Sequence, residues 1–325
     1  MKRKNWIDWM KAIGMLTIIW GHSFPEYFSS FLYAFSVSSF FTISGYLAKH
    51  ESSQRVFWSK LFHTLLIPYL IFSVLKAIQS VFSVDGVFTI GAIIAGFHTI
   101  GDITGCLKLW FVYTLMLLKF IFQYVGTTPR RRLGLAIFSI IGAIIYRNTI
   151  DDVAWAVGNA LISMPFFLLG YSLKNSYLFL QCEKWLTTIV YWKSFIIIMA
   201  SAIMTYILSF YNNEAWMYMG QYGDSLILFV LSSILGIFFL FAISCTLDKY
   251  KSVGCKLISI GSVAVLAYHQ DINYPMLKWI RLQHWDALAT DLMMLLASFI
   301  TLLVFIPLIY LASRYFPLLI GGRKI

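Results

Sequence analysis

The sequence predicts an all-α polytopic membrane protein with about ten transmembrane helices and both termini on the cytoplasmic side. Three observations carry that expectation. Of 325 residues, 60% are hydrophobic and only 12% are charged, against about 25% charged in a soluble domain. Aromatic residues reach 18%, as expected where tryptophan and tyrosine collect at both membrane interfaces. The basic residues recur in short clusters between apolar runs, the pattern of cytoplasmic loops. The net charge of +11 therefore implies no nucleic-acid partner, because no soluble face is left to bind one.

Apolar runs of a length to span, ~17–25 residues, lie near 7–25, 30–48, 61–82, 107–125, 132–147, 154–172, 190–210, 224–246, 257–277 and 287–313. The stretch 87–97 is too short to cross and reads as a re-entrant or interfacial piece in a long loop. Loop charges follow the alternation that these runs demand. Inside loops carry Lys2, Arg3 and Lys4, then Lys49, Arg55 and Lys60, then Arg130, Arg131 and Arg132, then Lys174, Lys184 and Lys193, then Lys249, Lys251 and Lys256, and finally Arg314, Arg323 and Lys324. Outside loops carry mainly acids, among them Glu26, Asp85, Asp102, Asp151, Asp152, Glu214, Asp224 and Asp286, with Lys108, Arg147, Lys278 and Arg281 as basic exceptions.

The first run follows a basic start but is interrupted by Asp8 and Lys11 and lacks a small-residue cleavage site, so it reads as a retained helix. The whole chain, 1–325, reads as a single integral membrane domain. Its cysteines (Cys106, Cys182, Cys245, Cys255) show no metal-ligand spacing, and Cys106 alone falls in an outer loop.

Chemistry concentrates on the first helix. Lys11 and His22 are eleven positions apart, so at roughly 100° per residue both leave the same face to within about 20°. They are separated by about 16 Å along the axis. Two ionisable groups on one stripe at membrane depth point to a lined cavity. The separation resembles the length of a pantetheine arm, so the helix suits an acyl-CoA held lengthwise. His22 lies about 24 Å up the helix from Trp6, near its outer end. Neutral imidazole is a suitable general base at physiological pH, and it is also able to accept an acyl group as a nucleophile. Both routes stay open. Lys11 either snorkels to the interface beside Asp8 or attracts a CoA phosphate.

The basic-x10-His spacing, Phe40-Phe41-Thr42-Ile43-Ser44-Gly45-Tyr46 at the close of the second helix, and Lys60-Leu61 with Ile67-Pro68-Tyr69 opening the third together resemble the acyltransferase 3 family. Leu109-Trp110-Phe111 and Ala267-Tyr268-His269 also look like family positions. The resemblance covers nearly the whole chain, and its first fifty residues carry most of the specificity. It implies a ten-helix membrane O-acyltransferase, commonly an O-acetyltransferase, acting on sugar hydroxyls of cell-surface polysaccharides or related acceptors. It further implies acyl-CoA as donor substrate rather than a resident cofactor, and a bacterial inner membrane as location. One departure concerns the third helix, where the family often shows two arginines at i, i+3. Here Arg55 and Lys60 are five apart, and Lys60 and His63 have that spacing.

On this reading His22 is catalytic, and Lys11, Lys60 and Arg55 bind the donor. His269, Trp110 and Asp271 are candidates for the acceptor. His269 lies thirteen residues beyond Lys256 and reaches a depth near that of His22. Gln270, Asp271 and Asn273 follow it, too polar a group for a lipid-facing surface. Trp110 is either an interfacial belt residue or a stacking surface for a sugar ring. Ser36, Ser38 and Ser39 read as helix-packing contacts, and Ser44-Gly45 as a place of close helix approach or a helix end. His50, His63, His98 and His284 join no constellation. Partners implied are acyl-CoA, a carbohydrate and the bilayer, with a homo-oligomer left open. The competing class is a secondary transporter or polysaccharide exporter, which would show paired discontinuous helices near the midplane, often with internal repeats; the sequence shows neither.

Overall fold

The computed structural model describes residues 4–81, 109–149 and 157–322. Among the described residues every regular element is helical. In chain order they are α1 (Asn5–Gly21), α2 (Ser29–Leu47), α3 (Gln54–Leu61), α4 (Ile67–Val81), α5 (Trp110–Tyr124), α6 (Pro129–Thr149), α7 (Val157–Leu173), α8 (Tyr177–Thr188), α9 (Tyr191–Phe210), α10 (Leu226–Thr246), α11 (Val253–Ile260), α12 (Ser262–Arg281) and α13 (Ala287–Tyr315). A stretch of 87–97, expected to be re-entrant, lies outside the described residues, as does Cys106.

Helix covers most of each of the ten expected runs among the described residues. Among the described residues, five stretches are long and apolar enough to cross a bilayer by length and composition: Ser29–Leu47, Gln54–Lys76, Tyr191–Phe210, Leu226–Thr246 and Ala287–Tyr315. Several boundaries differ from the sequence expectation. The first helix stops at Gly21, where the chain turns and leaves His22 as its C-cap. The third begins earlier, at Gln54, and reaches α4 through the π-helical turn Phe62–Leu66. The ninth is not one helix but two, broken at Gly261. A side chain at Gly261 would stand 2.5 Å from Ile309 Cγ1, so the closeness of α13 requires glycine at the break. The helix α8 was not expected; its charged and aromatic mixture reads as an interfacial helix.

At the centre stands α1, which packs against α2, α10, α11, α12 and α13. It is buried along most of its length, from Trp6 to Gly21. Hydroxyls inside the bundle bond back to their own helices, as Ser36 does to Leu32 O (2.6 Å), Thr42 to Ser38 O (2.9 Å) and Ser298 to Met294 O (2.7 Å). That satisfies the polar groups without bulk and lets helices approach. Loops sort to two ends. Around Asn5 lie Asp248, Glu183 and Lys4, with Lys4 Nζ 2.6 Å from Glu183 Oε2. Around His22 lie Ala215, Met217 and Tyr218, and Arg281 reaches Ser23 O.

His50, for which the sequence offered no role, is structural. Its ring stacks on Phe122 at 4.0 Å and its Nε2 donates to Gly126 O at 3.0 Å. Burial, with help from the Arg132 charge, holds its pKa below the ordinary histidine value.

Helices α2 and α7 approach backbone to backbone at two glycines. A Cβ at Gly45 would lie 1.8 Å from Phe167 O, and one at Gly170 would lie 1.8 Å from Thr42 O. Two backbones touch there, so no side-chain rearrangement relieves an added methyl. Gly170→Ala should therefore lower the melting temperature sharply or abolish folded yield, a loss above the usual range of ~0.5–3 kcal/mol for a single substitution. Gly134→Ala, with nothing within 4 Å of the added atom, should leave it unchanged or slightly raised, since alanine favours the helix interior over glycine. Thermal unfolding of both variants in detergent checks the pair.

Candidate active site

His22 ends α1 just where the chain leaves the helix, so its ring projects at the rim of the bundle while its backbone stays anchored. The anchoring comes from α12 and α13. Asn273 Nδ2 donates to Ser23 Oγ at 3.0 Å, and Thr301 Oγ1 donates to Asn273 Oδ1 at 3.2 Å. Arg281 donates to Ser23 O at 3.1 Å. The carboxylate of Asp291, 1% exposed, accepts from the backbone N–H groups of Glu26 and Tyr27, each at 2.8 Å.

The ring of His22 meets that of His269, with Nδ1 of His22 3.1 Å from Nε2 of His269. On its far side, His269 Nδ1 lies 3.0 Å from both Val265 O and Leu266 O. Two carbonyl oxygens only accept, so Nδ1 of His269 carries the proton and, in the neutral ring, Nε2 accepts. Nδ1 of His22 then donates to it. The chain of assignments leaves Nε2 of His22 with its lone pair, the state a base or nucleophile requires.

His22 borders a narrow cavity of about 50 Å³, with Thr17, Tyr33, Ser36, Trp110 and Tyr218 among its walls. Trp110 thus lines the same cavity as His22. A second cavity of about 220 Å³ adjoins it and holds Lys11, Ser44 and Lys119. A third, of about 390 Å³, holds Lys49, Lys60 and Lys119. Neighbouring cavities share walls. Phe40, Phe111 and Leu266 line the first and second, and Leu47, Thr64 and Lys119 line the second and third. The first two cavities therefore adjoin beside α1, at His22 and at Lys11, and the third, lysine-lined, adjoins the second away from α1.

Two sequence candidates stand elsewhere. Arg55 is exposed on α3 and is not among the residues lining these three cavities. Asp271 is engaged by α4 instead of facing His22. Its carboxylate pairs with Lys76 Nζ at 2.5 Å and accepts from Gln79 Nε2 at 3.1 Å. Lys60 lines the third cavity but also pairs with Glu51 at 2.7 Å. Sequence reasoning missed Lys49, Lys119, Tyr33 and the 211–225 loop. Lys119 carried a usable signal, since it is an ionisable residue inside an apolar run. The loop carried none.

These features define a membrane-embedded helical bundle with an oriented histidine pair at one end of a row of adjoining cavities. A family model described as an acyltransferase domain, that of the acyltransferase 3 family, matches residues 4–314. The chain belongs to that family and is a multi-pass membrane acyltransferase. No curated protein and no solved structure matches it.

The tautomer argument gives His269 a positioning role with a measurable signature. His269→Leu removes the acceptor for His22 Nδ1–H and should lower turnover about 10–10²-fold, less than the ~10²–10⁴-fold usual for loss of the base itself. It should also displace the acidic limb of the pH–rate profile, where the base becomes protonated. His269→Gln keeps an acceptor oxygen and should restore much of the rate. Equal losses in both variants, with an unshifted profile, would reduce His269 to a packing residue.

Proposed function

We propose that this protein is an O-acyltransferase that takes an acyl group, acetyl by preference, from cytosolic acyl-CoA. The acceptor is a hydroxyl of a cell-surface polysaccharide, its lipid-linked precursor or a related sugar. The observation that carries this reading is the line of adjoining cavities joining His22 to Lys11, Lys60 and Lys119. A nucleotide bearing phosphates suits the lysine-lined end, where ammonium groups supply charge-assisted hydrogen bonds. A pantetheine arm suits the narrower middle. The thioester then reaches Nε2 of His22.

In the direct route Nε2 of His22 takes the proton of the acceptor hydroxyl as its oxygen attacks the thioester carbonyl. The C–S bond breaks, the new C–O bond remains, and the proton passes from His22 to the leaving sulfur. Nδ1–H stays hydrogen-bonded to His269 throughout, so the imidazolium that forms transiently keeps its orientation. In the alternative, Nε2 itself attacks the thioester and an acyl-histidine precedes transfer. A burst of free CoA without acceptor would mark that second route. The aromatic walls Tyr33, Trp110 and Tyr218 suit a sugar ring, which stacks its apolar face on them.

The proposal also includes ten membrane crossings, both termini in the cytoplasm, residence in a bacterial inner membrane, and a protein that works without a resident cofactor. The loop charges support the orientation, with the lysine-lined mouth on the cytosolic side where acyl-CoA is made.

His22→Ala should cut acyl transfer by about 10²–10⁴-fold while leaving folded yield unchanged, because it removes the base and little packing volume. Transfer of labelled acetyl from acetyl-CoA to glycan fragments measures it, and turnover near wild type would move the chemistry off His22.

Lys11 tests the lengthwise donor. Lys11→Ala should weaken acyl-CoA binding by about 1.5–3 kcal/mol, the worth of a hydrogen bond to a charged group. Lys11→Arg should keep much of the affinity. An acyl-pantetheine lacking the nucleotide should show a smaller loss. Equal penalties for both donors would mean that Lys11 only anchors the helix.

A further inference from the structure

Attack on a thioester carbonyl leaves negative charge on its oxygen, and that charge is stabilised by a hydrogen-bond donor aimed at it inside the site. Several donors beside the His22 cavity are already committed. Thr17 Oγ1 donates to Gly14 O at 2.8 Å. Ser36 Oγ donates to Leu32 O at 2.6 Å and lies 3.0 Å from Thr17 Oγ1. The backbone N–H groups where α1 ends are used as well. His22 N donates to Ile18 O at 3.0 Å, Ser23 N to Trp20 O at 2.9 Å and Phe24 N to Gly21 O at 3.0 Å. The other side chains on the cavity wall that carry a hydrogen-bonding group, His22 aside, are the phenols of Tyr33 and Tyr218 and the indole of Trp110.

Position separates these three. Tyr33, Ser36, Val37 and Phe40 recur at helical spacing, so one face of α2 is turned to the cavity. On that face the Tyr33 ring meets the His22 ring edge-on, with centroids 6.4 Å apart and planes at 86°. The Trp110 ring lies against Phe41 and Phe111 instead, and Tyr218 stacks with Trp216 in the 211–225 loop. Tyr33 also meets the ring of Phe24, at 6.4 Å. Phe24 has a φ of 55°, a left-handed backbone that a bulky residue rarely adopts and that persists where surrounding contacts enforce it. The hold of Asp291 on the N–H groups of Glu26 and Tyr27 is such a contact. The turn after α1 thus keeps backbone strain while laying an aromatic ring against Tyr33.

We propose that Tyr33 is a catalytic residue whose O–H donates a hydrogen bond to the thioester carbonyl oxygen as that oxygen becomes anionic. This rests on the acyl-transfer reading above and gives Tyr33 a part in the chemistry besides that of a wall for the sugar. In the direct route the acceptor oxygen bonds to the carbonyl carbon, the C=O π pair moves onto oxygen, and His22 Nε2 takes the acceptor's proton. Collapse restores the C=O bond, the C–S bond breaks, and His22 passes the proton to sulfur. In the acyl-histidine route the carbonyl oxygen becomes anionic twice, on attack by Nε2 and again on attack by the acceptor. The phenol keeps its own proton in every step, so it serves both routes alike.

Tyr33→Phe keeps the ring that meets His22 and Phe24 and removes only the hydroxyl. In the transfer of labelled acetyl from acetyl-CoA to glycan fragments, it should lower kcat by about 10²–10³-fold, the usual loss for one oxyanion donor. The KM for acetyl-CoA should stay within about threefold of wild type, since an interaction made only in the transition state is the one removed. The acidic limb of the pH–rate profile should stay in place, because His22 is untouched. Tyr218→Phe, which removes the cavity's other phenol, should cost roughly tenfold less in kcat, or smaller still, if Tyr33 is the oxyanion donor. A kcat near wild type in Tyr33→Phe overturns the assignment. So does a loss confined to the KM of the acceptor, which makes Tyr33 a sugar contact, and so does a loss with a shifted acidic limb, which makes it a positioning residue for His22. Each of these leaves the acyl-transfer reading standing. Wild type that transfers no acetyl overturns that reading and the assignment together.

Discussion

The site depends on α1 being fixed at both ends. Its first backbone N–H groups lack a capping side chain of their own, and Asp248 supplies one from a distant loop, accepting from Trp6 N at 2.7 Å. A carboxylate at a helix N-terminus is favourable both as a hydrogen-bond acceptor and against the macrodipole. At the other end, Asn273, Arg281 and Asp291 hold the chain from Ser23 to Tyr27. A helix clamped in this way neither slides nor rotates. That makes the spacing of Lys11 and His22 a fixed dimension of the protein, and it lets α2, α10, α11, α12 and α13 pack around a constant axis.

Charge inside the bundle serves the same end. Lys76, 5% exposed, pairs with Asp271 and lies 4.2 Å from the centroid of the Tyr268 ring. An unpaired charge at that depth is costly, and removal of either partner strands the other. The pair therefore joins α4 to α12 in one register. His269 lies two residues before Asp271 on α12, so the tie that fixes Asp271 also fixes the rotation that aims His269 at His22. A residue that looked like a ligand-binding acid in the sequence thus contributes by holding the helix that carries the second histidine.

Much of the architecture was legible because a bilayer imposes long apolar segments and sorted charges, and both are written locally in the chain. Close packing at Gly45 was readable for the same reason, as a small residue beside a run of hydroxyls and aromatics. The break at Gly261 was not, because it depends on Ile309, nearly fifty residues away. The amphipathic α8 was missed because it is too polar to register as a span. In the site, Lys11 and His22 share a helix, so their phase follows from helical geometry alone. The meeting of His22 with His269 was open only to a depth argument, and the pairing of Asp271 with Lys76 was not legible, because depth says nothing about which way a side chain turns. Lys49 and Lys119 come together only through the packing of α2 against its neighbours. Tyr218 belongs to a loop whose position the sequence does not encode by periodicity.

The same packing explains why a histidine at a helix end suits this chemistry better than one in the middle of a span. Mid-helix, both ring nitrogens would face protein or lipid, and the lone pair on Nε2 would be spent on a structural hydrogen bond. At the terminus of α1, Nδ1 meets His269 and the ring borders a cavity instead of a neighbouring helix alone. The narrow cavity beside it is walled largely by apolar and aromatic side chains. For a thioester brought there, that geometry sets a physical preference. Few waters fit beside an acyl group in about 50 Å³, at about 10–15 Å³ each. An acceptor hydroxyl carried on a sugar that stacks against Tyr33, Trp110 or Tyr218 gains binding energy that water lacks. On the proposed reading, transfer is then favoured over hydrolysis by the shape of the site and by an acceptor's contacts, and the histidine pair would act on whichever hydroxyl those contacts deliver.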